Sequence, residues 1–305
     1  LPLRRAVWTF IAIVRPMKTF AAHLLWLLLK LLGMLPLALL HRIGDAFAWL
    51  WRVLPTRERR VARRNIELCL PELAAAERQL LLRQTLRAAG HSLFELPWFW
   101  TRPLHRVLAS IRRIEGLAIF QRAIDEGRGV LLAAPHLGAW EILNLWLATH
   151  SRLAVLYRPP RKPFLETVFN RGRARAGALP IRAQASGVRQ LVKHLRSGGV
   201  MGILPDQQPK QGEGDFATFF GQQALTMTLF PKLAASQSVA VILAFAERLP
   251  RGRGFVLHFR RADPAITDVA TLNANIEACA RLLPAQYQWT YKRFSMQPEG
   301  RRTPY

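Results

Sequence analysis

The hexapeptide His136-Leu-Gly-Ala-Trp-Glu141 lies one residue, Pro135, beyond the apolar run at residues 129–134, GVLLAA. A histidine with a carboxylate on one ring nitrogen has a fixed tautomer, and its other nitrogen is free to take a proton from a hydroxyl. Five helical steps would set the two side chains about 140° apart, so one continuous helix does not bring them together. A turn at His136 with Glu141 in the first turns of a following helix does, and Gly138 eases such a turn. The same residues also suit a helix-capping histidine and a glutamate that favours the helix dipole. Position after a strand favours the chemical reading, because open α/β sheets bind ligands at the carboxyl ends of their strands.

Other chemistries lack their residues. The chain has no Gly-x-Ser-x-Gly elbow, and neither Cys69 nor Cys279 has a catalytic or metal-binding spacing. HExxH, P-loop and GxGxxG patterns are also missing, so no metal or nucleotide cofactor is expected. Two further features complete the candidate site. Residues 152–196 carry eleven Lys or Arg against the single acid Glu166, a net +10 that predicts anionic ligands. Arg158, Arg171, Arg173 and Arg175 are the candidates for bidentate phosphate contacts. Asp206, in Leu-Pro-Asp-Gln after a second apolar run, suits either a turn or a partner for an arginine or a polar substrate group. Phe219-Phe220-Gly221, with Ala224 and Thr226, could line an apolar groove or belong to the core.

The elements that must position these residues read as an α/β fold with a mostly parallel central sheet flanked by helices. Strands are expected at residues 129–134, 153–157, 200–204, 239–245 and 254–260. Helices are expected at 140–149, 164–175, 187–196, 226–236 and 267–283, with a long helical stretch over 65–100. Before these, residues 20–40 are almost entirely apolar apart from His23 and Lys30, and are long enough to cross a bilayer as one helix. Lys30 at mid-depth and Pro36 argue against simple spanning, so a spanning helix and a helix lying in the interface both remain open. Arg57 to Arg64, RERRVARR, suits anionic headgroups on a cytoplasmic face. The expected organisation is a membrane-associated helical region at residues 1–56 and one α/β domain at 57–305.

The chain has 305 residues, 50% of them apolar, with 44 Lys and Arg against 19 Asp and Glu, a formal charge of +25. That excludes a disordered basic tail. It leaves a membrane-tethered nucleic-acid binder as the rival class, although no recognised nucleic-acid motif accompanies the charge.

Taken together the motifs resemble the lipid A secondary acyltransferases, the lauroyl and myristoyl transferases within the wider lysophospholipid acyltransferase superfamily. The likeness runs through the apolar N-terminal helix, Arg63-Arg64-Asn65-Ile66-Glu67-Leu68 with Pro71-Glu72, and His136 to Glu141. It continues through Tyr157-Arg158-Pro159, Gly172-Arg173-Ala174-Arg175, Pro205-Asp206 and Phe219-Phe220-Gly221. It ends in the segment from Pro284 to Phe294, PAQYQWTYKRF. The superfamily usually has Asp where Glu141 stands and often Asn where Pro135 stands, which favours the lipid A branch.

The resemblance implies transfer of a fatty acyl chain from acyl carrier protein to a hydroxyl of a lipid A precursor, an anionic glycolipid, at the bacterial inner membrane with the catalytic domain on the cytoplasmic side. His136 is then the base and Glu141 its orienting acid, with Arg158, Arg173 and Asp206 as further residues of the substrate site. No cofactor, metal or nucleic acid is implied. A lysophospholipid, an aminolipid or another glycolipid is the alternative acceptor.

Overall fold

The computed structural model describes residues 21–157, 159–160, 163–236 and 238–305. The described residues open with a helical pair, α1 (Ala21–Gly33) and α2 (Leu37–Val53), bent by 112° where Pro36 interrupts the backbone ladder. This corrects the single anchoring helix expected at residues 20–40. Among the described residues no single helix is long and apolar enough to cross a membrane. The long helix expected over 65–100 is likewise two helices, α3 (Arg57–Cys69) and α4 (Ala75–Thr101). Thr56 caps α3 by accepting from the Arg59 N–H, and Pro71 follows just after its end.

After the short α5 (Leu104–Leu108) the α/β domain alternates. Its elements run β1 (Ile111–Glu115), α6 (Leu117–Asp125), β2 (Val130–Ala133), α7 (Trp140–His150), β3 (Leu153–Tyr157), α8 (Pro163–Arg173), β4 (Leu179–Arg182), α9 (Ala185–Arg196) and β5 (Val200–Ile203). A hairpin, β6 (Gly214–Phe219) and β7 (Gln222–Met227), precedes α10 (Leu229–Ser236), β8 (Ala240–Arg248), β9 (Phe255–Arg261) and α11 (Val269–Leu282). Seven strands form one sheet in the order β1-β9-β8-β2-β5-β3-β4, parallel throughout except for β8 against β9. The expected mostly parallel sheet is therefore present. The β1, β4 and β6–β7 strands were not foreseen, and residues 222–227, partly expected as helix, form β7.

The central strands are buried on both faces. Leu131 and Ala133 of β2 join one apolar layer with Met201 and Ile203 of β5, while Val130 and Leu132 join the layer on the other side. Both strands therefore read as unbroken apolar runs.

A buried polar network ties α2 and α4 to the sheet. Arg248 at the end of β8 donates from Nε (2.5 Å) and Nη2 (2.7 Å) to the two oxygens of Glu95, which is fully buried. His41 of α2 meets the same carboxylate at 2.6 Å, and its ring stacks on His91 at 4.2 Å. Arg248 also donates to the Gly138 carbonyl at 3.3 Å. Burial would raise the Glu95 carboxyl, but the charges and hydrogen bonds of Arg248 and His41 outweigh it and hold the carboxyl at about 2. Burial, with the His41 and Arg248 charges, pushes His91 down to about 4 against the opposing pull of Asp45 and Glu95.

Two outcomes follow from this network. Arg248→Met strands a buried carboxylate and is expected to cost about 3–5 kcal/mol in urea denaturation. His91 favours its neutral form when folded, so its contribution to stability is complete above about pH 6.5 and is lost as the pH falls toward 4. The thermal midpoint of the wild type should therefore fall more steeply across that window than that of His91→Gln.

Candidate active site

Strand register builds the centre of the site. β2 and β5 pair in parallel with Ala133 opposite Ile203, and the Ala134 N–H donates to the Ile203 carbonyl at 2.9 Å. His136 and Asp206 each lie three residues beyond that last pair, and they meet. His136 Nδ1 donates to Asp206 Oδ1 at 2.8 Å, and the His136 backbone N–H donates to Oδ2 at 2.9 Å. A carboxylate only accepts, so Nδ1 carries a ring proton, and in the neutral imidazole Nε2 carries the lone pair. Asp206 is almost sealed, its side chain 2% exposed, while the imidazole is 14% exposed. Burial raises the Asp206 carboxyl, but the imidazole charge and the two hydrogen bonds from His136 prevail and hold it below the usual carboxylate range.

Glu141 does not reach the imidazole. It sits in the first turn of α7, where Arg173 at the end of α8 donates to Oε1 from Nε (2.9 Å) and Nη2 (2.7 Å). The Trp100 indole N–H donates to Oε2 at 3.1 Å. The expectation that Glu141 orients His136 is corrected: both of its oxygens are taken, and Asp206 occupies the imidazole's Nδ1. The intervening turn explains the divergence. Gly138 has φ +65°, and a Cβ there would lie 1.9 Å from the Ala246 carbonyl oxygen, so only glycine fits. Residues 136–138 leave the sheet edge against the C-terminal segment, with the Gly138 N–H donating to the Gln286 carbonyl and the Gln288 N–H to that of His136.

The arginines expected at phosphate are largely committed. Glu141 raises the Arg173 pKa and anchors its guanidinium beside the cavity. Arg175 donates to the Phe99 and Arg102 carbonyls, and Arg171 lies 4.5 Å over the Trp26 ring of α1. Close packing holds α8 in place, for a Cβ on Gly172 would lie 2.4 Å from the Trp100 ring. Arg158 lies outside the described residues. Phe219 and Phe220 are core rather than groove, at the β6–β7 turn where Phe220 and Gly221 both have positive φ.

A cavity of about 650 Å³ opens beside the dyad. His136, Gln207, Glu141 and Arg173 give it polar groups, and Leu132, Leu143, Leu147, Leu153, Val155 and Met227 give it apolar walls. Gly202 of β5 lines it without a side chain, and a Cβ there would meet only Leu153, at 3.7 Å. Behind Asp206, Tyr287 and Arg293 are buried, and Arg293 donates to Leu225 O and Thr226 Oγ1. Asn65 of α3 donates to the carbonyls of Trp289 (2.6 Å) and Tyr291 (2.7 Å), clamping this C-terminal segment down. Sequence reasoning missed Gln207, whose side-chain nitrogen lies 3.2 Å from His136 Nε2. Its one available signal was its place next to Asp206.

A histidine held by a buried aspartate, at a largely apolar cavity, is equipment for activating a hydroxyl next to an aliphatic chain. The protein is an acyltransferase of an α/β fold. It belongs to the bacterial lipid A biosynthesis acyltransferases, whose family profile matches residues 10–296. It is 26% identical over 285 residues to the lipid A biosynthesis lauroyltransferase of Escherichia coli K12, covering 90% of each chain. It is 27% identical over 294 residues to the palmitoleoyltransferase of the same organism, covering 94% of this chain and 93% of that one. The E. coli myristoyltransferase is 22% identical over 257 residues, or 81% and 78% of the two chains.

The two carboxylates should separate experimentally. Asp206→Asn is expected to change the imidazole nitrogen chemical shifts of His136 in ¹⁵N NMR. Glu141→Gln should leave those shifts in place and lower stability by about 1.5–3 kcal/mol, the worth of hydrogen bonds to a charged group.

Proposed function

We propose that this enzyme transfers a fatty acyl chain from the thioester of acyl carrier protein to a hydroxyl of a lipid A precursor, with His136 as general base and Asp206 as the acid that orients it. The observation that carries this reading is the His136–Asp206 couple, made through Nδ1, beside a cavity walled by leucine and valine. Nε2 takes the acceptor's hydroxyl proton, and the buried carboxylate stabilises the imidazolium that forms. The thioester is already activated, so positioning and a base suffice, the base contributing about 10²–10⁴ in rate. Glu141 acts through Arg173, fixing a cation at the wall of the cavity. A carrier protein rich in acid and a phosphorylated glycolipid both suit a chain of charge +25.

Residues 1–56 are proposed as the membrane-associated region and 57–305 as the catalytic domain, on the cytoplasmic side of the inner membrane. Leu24, Leu27, Leu28, Leu31 and Met34 of the first helix and its turn are 51–73% exposed, as are Trp49 and Val53 of α2 at 55% and 51%. That bent apolar surface suits insertion into one leaflet rather than a crossing.

Mass spectrometry of the product from a tetraacylated precursor and acyl carrier protein loaded with mixed chain lengths tests the reaction. Wild type should add one chain, His136→Ala should add none, and Asp206→Asn should lose at least about 10² in kcat; a fully active His136→Ala refutes the mechanism. Supplying a lysophospholipid instead tests the acceptor. Gly202→Met fills the cavity and should shift the transferred chains toward shorter lengths in the same assay. Leu27→Asp with Leu31→Asp should reduce co-flotation with anionic vesicles without unfolding the domain.

A further inference from the structure

Acyl transfer through an oxyanion needs donors aimed at the developing charge, and the groups nearest His136 are almost all engaged. The four successive backbone N–H groups of the turn are used: His136 donates to Asp206, Leu137 to Pro135, Gly138 to Gln286 and Ala139 to Ala246. Arg173 spends Nε and Nη2 on Glu141. Arg248 is buried behind the turn against Glu95, and Arg293 is buried against Leu225 and Thr226.

Gln207 is different. Its side-chain nitrogen donates to Gln288 Oε1 at 3.0 Å and lies 3.2 Å from His136 Nε2, the nitrogen that bears the lone pair. One N–H is tethered, therefore, and the second points at the place the reacting hydroxyl must occupy. Gln207 lines the apolar cavity, and Gln288 belongs to the strip that pairs with the catalytic turn, so the tether is fixed to the same scaffold as the base.

We propose that the Gln207 amide, tethered by Gln288, is a catalytic donor to the oxyanion formed during acyl transfer. The proposal rests on the reading of His136 as base. In the free enzyme the second N–H of Gln207 occupies Nε2. An incoming hydroxyl displaces it, and its proton passes to Nε2 as the hydroxyl oxygen bonds to the thioester carbonyl carbon. The carbonyl electron pair moves onto oxygen, and the released Gln207 N–H donates to that oxygen. Collapse re-forms the carbonyl and breaks the carbon–sulfur bond; the sulfur leaves with the electron pair and takes the proton back from His136. Gln288 acts on the reaction only through Gln207 and is a positioning residue.

Steady-state kinetics of the full chain with acyl carrier protein thioester and lipid acceptor provide the test, alongside binding of a thioether analogue of the donor, which forms no oxyanion. Gln207→Leu is expected to lower kcat by about 10²–10³, the usual loss for one oxyanion donor, with KM and thioether affinity within about threefold of wild type. Gln207→Glu, which keeps the shape but has no N–H when ionised, should lose as much, and it decides the matter if the leucine variant fails to fold. Gln288→Leu should lie between these and wild type.

A kcat within about threefold of wild type in Gln207→Leu, with His136→Ala inactive, overturns the proposal and leaves the base intact. Loss of thioether affinity in step with kcat also overturns it, since that reports ground-state binding. Activity in His136→Ala removes the reading on which the proposal stands.

Discussion

Parallel pairing of β2 with β5 in a single register sets the geometry on which the active site depends. Because Ala133 lies opposite Ile203, two chains leaving the sheet edge at equal length bring residues 136 and 206 side by side, although 70 positions separate them in sequence. A slip of one residue would exchange the side chains packed into the two different apolar layers as well as parting the couple. The register is fixed by burial on both faces: each residue of β2 and β5 belongs to a strand with no solvent side to tolerate a shift. The catalytic geometry is thus held by the same apolar surface that stabilises the core.

The segments that look peripheral in sequence hold this edge in place. The C-terminal strip pairs with residues 136–138, and α3 grips it through Asn65, whose amide donates to two of its carbonyls. From the other side Arg248 joins β8 to the Gly138 carbonyl while it neutralises Glu95 on α4. Every backbone N–H from His136 to Ala139 has an acceptor as a result, so the turn is rigid and the imidazole inherits that rigidity. The bent α1–α2 pair is tied to the same network through His41, which places an apolar exposed surface in mechanical continuity with the turn that bears the base.

Much of the fold was legible because the central strands are continuous apolar runs: β3 was placed to the residue, and β2 and β5 within one residue at either end. β1 was not, since Ile-Arg-Arg-Ile-Glu at a sheet edge is half exposed and has too little apolar character to declare itself. The 65–100 stretch kept helical composition across a break that Pro71 marks, and composition outweighed the proline. In the site, His136 was legible and its partner was not. Proximity in sequence favoured Glu141, five residues on, whereas the β2–β5 register selected Asp206. The signal was present in a different form: a histidine and an aspartate each follow an apolar strand at the same distance, and parallel neighbours would juxtapose them.

The two acids near His136 differ in what surrounds them. Glu141, in the first turn of α7, is held by Arg173 and Trp100, so its charge is neutralised locally and fixes a cation in place. Asp206 has no arginine among its hydrogen-bond donors. It is held by one ring N–H and one backbone N–H of His136, with the buried Tyr287 hydroxyl as a further partner and the Arg293 charge acting on it from behind. A buried carboxylate on Nδ1 attracts the imidazole more strongly once the ring is charged, which is the differential stabilisation that the role proposed for His136 requires.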